Sequence, residues 1–464
     1  LNVKDDAGRR ITMKVWQARR GERTDPDFFE FQQSLPFDIA LLEEETRVAR
    51  AWVDVLKTHG YLIPSEARDL KKQLARLSHQ AKKGEIPASP EIEDVHTLVE
   101  QYLTENAGDA GRKLHTGRSR NDLAPATLRL YLLKRCREIR ALLADLQSAA
   151  LLQAEDGVEL LCPLYTHQQR AEPIRLSHYW LSHFFRLQRD RDRLDEMSRR
   201  TSLNPVGAGA GAGSFVTASP RFLQKALGFR ASLDNALDAT ASRDFAAEFL
   251  AWACLLMTDL SALAQDIILW TSAEYGWASL PNHLTTGSSL LPHKRNADGA
   301  ELVRARCGRV LGNFTALMTA FKGLPGGYSK DLQEDKERVL DTAKTVRGCL
   351  IVMRKMARAL RFDADACAAG VRDTFLGTVA LVAALVNAGA PFRDAYREVA
   401  DWSRTRKPHA RSVDLSRFAD RLPPETLDAV KDPVSSIEAR KVWCGVSRSA
   451  TRRQIAAARR CLSR

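Results

Sequence analysis

The sequence predicts an all-α protein, and three observations carry the prediction. Apolar residues recur at steps of three and four over long stretches, almost no segment alternates with period two, and the periodic stretches are separated by clusters of Gly, Pro, Ser and Asn. From Leu128 the apolar positions are Leu128, Leu132, Cys136, Ile139, Leu143 and Leu146, which share one helix face. The stretch from Asp244 to Trp270 repeats the rhythm at Phe249, Leu256, Leu260, Leu263, Ile267 and Trp270. It is apolar over more than one face, as a helix buried in a bundle is. A third pattern runs from Glu301 to Phe321. Any sheet is expected to be minor.

The breaks come in order. PASPEIED (87–94) closes an N-terminal helical region, NPVGAGAGAGSF (204–215) interrupts the middle, and 279–299 and 323–333 are long polar loops. Residues 404–417 and 420–426 divide the C-terminal region. One helix is expected to open near Pro125 and another near Asp298.

A chain of 464 residues buries a large core and forms one long subunit or two to three domains. Lys and Arg number 70 against 57 Asp and Glu, a net charge of +13. The bases are interleaved with acids, as in RDRDRLDE (189–196), which describes a solvated helical surface and speaks against nucleic acid as partner. The eight cysteines are scattered without a CxxC pair, so reduced thiols and a cytoplasmic setting are expected. The first residues lack the apolar core of a secretory signal. The 244–270 stretch holds Asp259, Gln265 and Asp266, so it is expected to be a core helix and not a membrane span.

Four segments carry groups suited to chemistry. In GSSLLPHKRNADGAE (287–301), Gly287 and two serines precede Lys294 and Asn296, and a helix N-terminus follows. Serine, a cation, an amide and free helix N–H groups suit a carboxylate. A solvated basic loop capped by Asp298 accounts for the same residues. HTGRSRND (115–122) offers Arg118, Arg120 and Asn121 beside hydroxyls, a fork suited to carboxylate recognition, or a surface loop leading into a helix. PLYTHQQRAEPIRLSH (163–178) offers Thr166, His167 and His178. His178 and His183 are five apart, not the four of HExxH, so no zinc site is expected. GGYSKDLQEDKE (326–337) presents Tyr328, Gln333 and Lys336. The Gly-Ala run lacks the GK[ST] ending of a phosphate loop and follows no predicted strand.

Taken together, HTGRSRND, GSSLLPHKRN and YSKDLQEDKE resemble the argininosuccinate lyase family of the fumarase/aspartase superfamily, over some nine-tenths of the chain. DATASRDFAAEFLAW (238–252) and PFRDAYREVADW (391–402) are similar to their counterparts there. The resemblance implies a lyase of arginine biosynthesis that releases fumarate from argininosuccinate, needing no cofactor and no metal. Ser288 would be the base, Lys294 and Asn296 would hold the charge built on a carboxylate, and His167 with its partner Glu301 would protonate the leaving nitrogen. Thr166, Arg120 and Asn121 fall at the succinyl end. Ser34, Asp38, Tyr328, Gln333 and Lys336 fall on the substrate, several at the amino-acid end, and Asp94 lies in the site region. It further implies a three-domain subunit (1–113, 114–365 with the long central bundle, 366–464). Four copies would form a homotetramer with shared sites.

Several positions depart from the family pattern: WQARR (16–20), Leu123, Gln168, Glu172, His293, Ala297 and CGVS (444–447). Glu172 is expected to bring a negative charge near His167. Two other functions fit the same resemblance: release of fumarate from another N-succinyl amine in specialised metabolism, and a non-catalytic, crystallin-like role on the same fold.

Overall fold

A computed structural model of the chain describes residues 2–4, 10–12, 24–86, 91–371, 374–404 and 414–463. The WQARR segment and parts of the 87–94 and 404–417 breaks lie outside them. Five long helices dominate: Arg120–Asp156, Leu176–Thr201, Asp244–Trp270, Asp298–Phe321 and Glu334–Ala359. Strands are short and occur, among the described residues, as five two-stranded sheets. The architecture is therefore all-α, as the periodicity requires.

The Arg120–Asp156 helix opens five residues before the expected Pro125. Ser119 explains the early start: its carbonyl accepts from the N–H groups of Asp122 and Leu123, and its hydroxyl accepts from Asn121 N–H at 3.2 Å. Pro125 then costs a single main-chain bond, the one to the Asn121 carbonyl. The other expected start is at Asp298, where the helix begins.

The Asp244–Trp270 helix is the one described helix long and apolar enough to cross a membrane. Phe249, Leu256, Leu260, Leu263 and Ile267 are buried along it, while Asp266 pairs with His183 at 2.9 Å and Asp259 with Arg186 at 3.5 Å. Those partners make it a core helix.

Two compact units share the chain. The first comprises residues 1–135, 197–247 and 316–341; the second comprises 136–196, 248–315 and 342–464. In the first unit the helices Leu42–Thr58, Pro64–Lys83 and Val95–Ala107 pack Trp52, Leu56, Leu70, Leu74, Leu98 and Leu103 into one core. Each such side chain stabilises by roughly 1.5–3 kcal/mol when buried. Pro64 opens its helix, Glu66 accepts the Ile63 N–H at 3.0 Å, and Gly84 at φ 76° ends it in the left-handed region. Leu123 is buried in this core, so replacing the family's amide there changes packing and leaves no side chain to touch a ligand.

In the second unit, Asp190 of Leu176–Thr201 is fully buried against Asp259. Burial, then the Asp259 charge, push its carboxyl up to about 7 despite the 2.9 Å pair with Arg193. An acid with a raised folded pKa is stabilised while protonated. That contribution is complete below about 3.8 and is lost as pH rises through about 7. Asp190→Asn should therefore flatten the fall in stability between pH 4 and 8, by on the order of 4 kcal/mol for a shift of this size. Denaturant unfolding across that range checks it; parallel curves for both proteins contradict it.

Candidate active site

In the first unit the fold gathers residues from four distant stretches. Ser34 N–H and Leu35 N–H both donate to the Glu93 carbonyl, at 2.8 and 3.0 Å, which fastens the Ser34–Asp38 turn beside Asp94. Ser34 Oγ donates to Asp38 Oδ2 at 2.6 Å. Lys336, near the start of Glu334–Ala359, places Nζ 3.0 Å from Asp38 Oδ1 and 3.1 Å from Oδ2. Gln333 Nε2 donates to the Gln32 carbonyl at 3.1 Å. A hydroxyl, a carboxylate and an ammonium within hydrogen-bond reach suit a zwitterionic amino-acid group.

Asp94 caps Val95–Ala107, accepting from Thr97 N and Oγ1, both at 2.7 Å. Arg120 Nε lies 3.4 Å from Asp94 Oδ2, and its Nη2 donates to Thr97 Oγ1 at 2.8 Å. Burial alone raises the Asp94 carboxyl, but Arg120, His96 and the Thr97 bonds outweigh it and hold it at about 2. Asn121 Nδ2 reaches the Ala210 carbonyl at 3.5 Å. Tyr328 is raised by burial against the fields of Lys336 and Arg243, which places its hydroxyl in the same charged environment.

Lys336→Met leaves Asp38, a fully buried carboxylate, without its cation. Unpairing a buried ion pair costs about 3–5 kcal/mol. Denaturant unfolding should show that loss for Lys336→Met and much of it recovered in Asp38→Asn/Lys336→Met; no change in the single variant contradicts the pairing.

The second unit holds the other six residues, on two hairpins and a helix start. Strands Leu161–Thr166 and Gln169–Arg175 pair antiparallel, with a register shift between Leu164 and Tyr165. Their two-residue turn is His167 and Gln168, at φ 54° and 59°. Two positive φ values are the signature of a primed hairpin turn, normally Asn-Gly, and His and Gln store of order 1 kcal/mol each there. What holds the turn is packing below it. Tyr165 N–H donates to Tyr179 Oη at 3.2 Å, and the Tyr165 ring lies 5.1 Å from Tyr275 and 5.8 Å from Trp277. Thr166 and His167 stand exposed at the tip.

Residues Thr286 and Gly287 pair with Asn296 and Arg295. Ser288 and Lys294 are the next residues along the chain beyond those two pairs, at the mouth of the loop. Ser288 Oγ accepts from Leu290 N–H at 3.2 Å and Leu291 N–H at 3.0 Å. Two main-chain dipoles thus already point at the serine oxygen. Thr286 Oγ1 bonds Asp298, fastening the loop to the first turn of Asp298–Phe321, where Glu301 sits exposed. Among the described residues no hydrogen bond joins Glu301 to His167 within the subunit.

Some expectations change. Arg118 turns inward: its side chain is 1% exposed, 3.6 Å from Glu45, and is unavailable as half of a surface fork. Glu172 adds no loose negative charge, because Arg440 pairs with it. His178 is half-buried, with its Nδ1 shielded from solvent and unpartnered and its pKa lowered by burial. Among the described residues no cluster of three His, Cys, Asp or Glu is placed to hold a metal ion.

Sequence reasoning missed Arg243 and Asp335, a buried pair at 2.6 Å. Arg243 lines a cavity of about 200 Å³ with Phe321, Leu324, Pro325, Gly327 and Leu332, at the loop that carries Tyr328. Arg243 stood inside the DATASRDF motif; only its partner, 92 positions away, marks it as more than surface charge.

Comparison with known proteins agrees with these motifs. The family model described as lyase matches residues 18–312. The chain is 38% identical over 455 residues to an argininosuccinate lyase of Pelotomaculum thermopropionicum, covering 97% of this chain and 99% of that protein. It is 41% identical to that of Geobacillus thermodenitrificans over 83% of this chain and 84% of the relative. Among solved structures, EDDS lyase in complex with formate superposes with a TM-score of 0.83 at 23% identity, over 95% of this chain and 91% of that one. A class II fumarase from Schistosoma mansoni gives 0.72 at 16%, over 91% and 98%. At those identities the two structures speak to fold alone. The relatives extend over nearly the whole chain, and with the loop motifs they settle its membership: the chain belongs to the argininosuccinate lyase family, carbon–nitrogen lyases of the fumarase/aspartase superfamily.

Proposed function

We propose that this chain cleaves argininosuccinate to arginine and fumarate by base-catalysed β-elimination. Ser288 takes the proton from the carbon beside a succinyl carboxylate, and the electron pair of that bond becomes the double bond of fumarate as the C–N bond breaks. His167 gives a proton to the departing nitrogen, and Glu301 orients its ring. Lys294 and Asn296 hold the charge that builds on the carboxylate, each well-placed donor being worth about 3–4 kcal/mol. Arg120, Asn121 and Thr166 bind the succinyl end. Ser34, Asp38, Tyr328, Gln333 and Lys336 bind the amino-acid end, with Asp94 fixing Arg120.

The observation that carries this reading is the environment of Ser288. A serine is a poor base unless its oxyanion is stabilised, and Leu290 and Leu291 N–H groups already converge on Oγ.

The resemblance implies that His167 and Glu301 belong to sites shared between copies of a homotetramer. The Asp298–Phe321 helix supports that assembly. It buries Ala300, Val303, Val310 and Leu317 and leaves Leu302, Leu311 and Met318 exposed, with open space over Gly308 and Gly312. The middle of three domains, 114–365, would supply the bundle. Eight scattered cysteines without a CxxC pair fit a cytoplasmic enzyme.

Fumarate absorbance on offering argininosuccinate beside a panel of N-succinyl amines tests the reading. Argininosuccinate should give the highest kcat/KM. Clear fumarate release from another succinyl amine with a negligible rate on argininosuccinate transfers the function to that compound, and no release from any makes the fold non-catalytic here.

A further inference from the structure

The glycine run 207–213 has no part in the chemistry above, yet its placement is specific. Gly207, Gly209, Gly211 and Gly213 have φ of 106°, 61°, 121° and 92°, values that favour glycine. Successive N–H groups in such a chain form a concave anion nest. Here the nest is filled from within. Asp122 Oδ2 accepts from Gly207 N–H at 3.1 Å and from Gly209 N–H at 2.9 Å, while Oδ1 accepts from Ser119 N–H at 3.3 Å. The side chain is buried. Two further bonds tie the same surfaces: Ser214 Oγ donates to the Gly117 carbonyl at 2.5 Å, and Asn121 Nδ2 reaches the Ala210 carbonyl.

We propose that Asp122 is a positioning residue: by filling the glycine nest it locks the loop onto the first turn of Arg120–Asp156 and so sets the aim of Arg120 and Asn121. The cradle that in other proteins takes a phosphate is spent on an internal carboxylate, one residue after the two side chains that need orienting. Gly209 has little tolerance in this arrangement, since an added Cβ lies 3.0 Å from the Gly213 carbonyl oxygen. Burial pushes the Asp122 carboxyl up to about 6 against the three N–H donors.

The inference rests on Arg120 and Asn121 binding the succinyl end. Its test uses the full-length enzyme with Asp122→Asn, Gly209→Ala and Arg120→Gln, reading kcat, KM for argininosuccinate, the fumarate inhibition constant and the melting temperature. Asn retains one acceptor oxygen and puts an NH₂ group where the other stood; Ala disturbs the loop without touching the carboxylate. Both should raise KM and the fumarate constant about tenfold, with kcat changed much less. A purely structural role lowers the melting temperature and the active fraction but leaves both constants unmoved, and that result overturns the proposal. Unmoved constants in Arg120→Gln overturn it by another route, by removing the succinyl contact on which it depends.

Discussion

Replacing Ser288 by alanine should lower kcat for fumarate release by about 10⁴-fold or more, with the helical content and oligomer size unchanged. Losing the group that forms or breaks bonds to the substrate costs losses of that order in enzymes whose remaining groups act only with it. The fold should not suffer. Ser288 is half-buried in a loop, and its Oγ accepts only from the two N–H groups of its own turn. Removing that acceptor returns Leu290 and Leu291 N–H to water, since both residues are exposed. Stopped absorbance assays with circular dichroism separate the two effects. Activity near that of the wild type at normal helicity removes Ser288 as the base.

His167→Asn should cost about 10²–10⁴-fold in kcat, the range of a lost general acid. Asparagine is a demanding control at this position. Among residues other than glycine it tolerates a positive φ better than most, so at φ 54° it relieves strain while removing the proton donor. The melting temperature should hold or rise while turnover falls. Equal losses of stability and activity would instead make the residue part of the hairpin's support.

Much of the helical frame was legible because burial repeats at helical spacing. The 244–270 helix and the start at Asp298 follow from apolar positions and from an aspartate placed in the first turn after a polar loop. Two features escaped. The early start of Arg120–Asp156 depends on Ser119 serving as cap, which overrides Pro125 as a boundary signal. The Leu161–Arg175 hairpin carries prolines in both strands and a His-Gln turn, so neither alternation nor turn chemistry announces it.

The candidate site divides in the same way. Ser288, Lys294 and Asn296 lie within nine residues and are read as a local motif. The Asp38–Lys336 pair spans 298 positions, and Arg243–Asp335 spans 92. No spacing rule reaches that far. Resemblance named Asp38 and Lys336, while Arg243, Asp335 and Asp122 emerge only once their hydrogen bonds are in view. Glu172 shows the converse: its charge was legible and its neutralisation by Arg440 was not.

A structure of the Ser288→Ala enzyme crystallised with argininosuccinate tests the central claim most directly. The account predicts that residues 287–296 close over the succinyl half. The place vacated by the serine oxygen would then lie about 3–3.5 Å from the carbon that loses its hydrogen, with Lys294 and Asn296 on the adjoining carboxylate. A loop that closes over the ligand yet keeps residue 288 far from that carbon contradicts it.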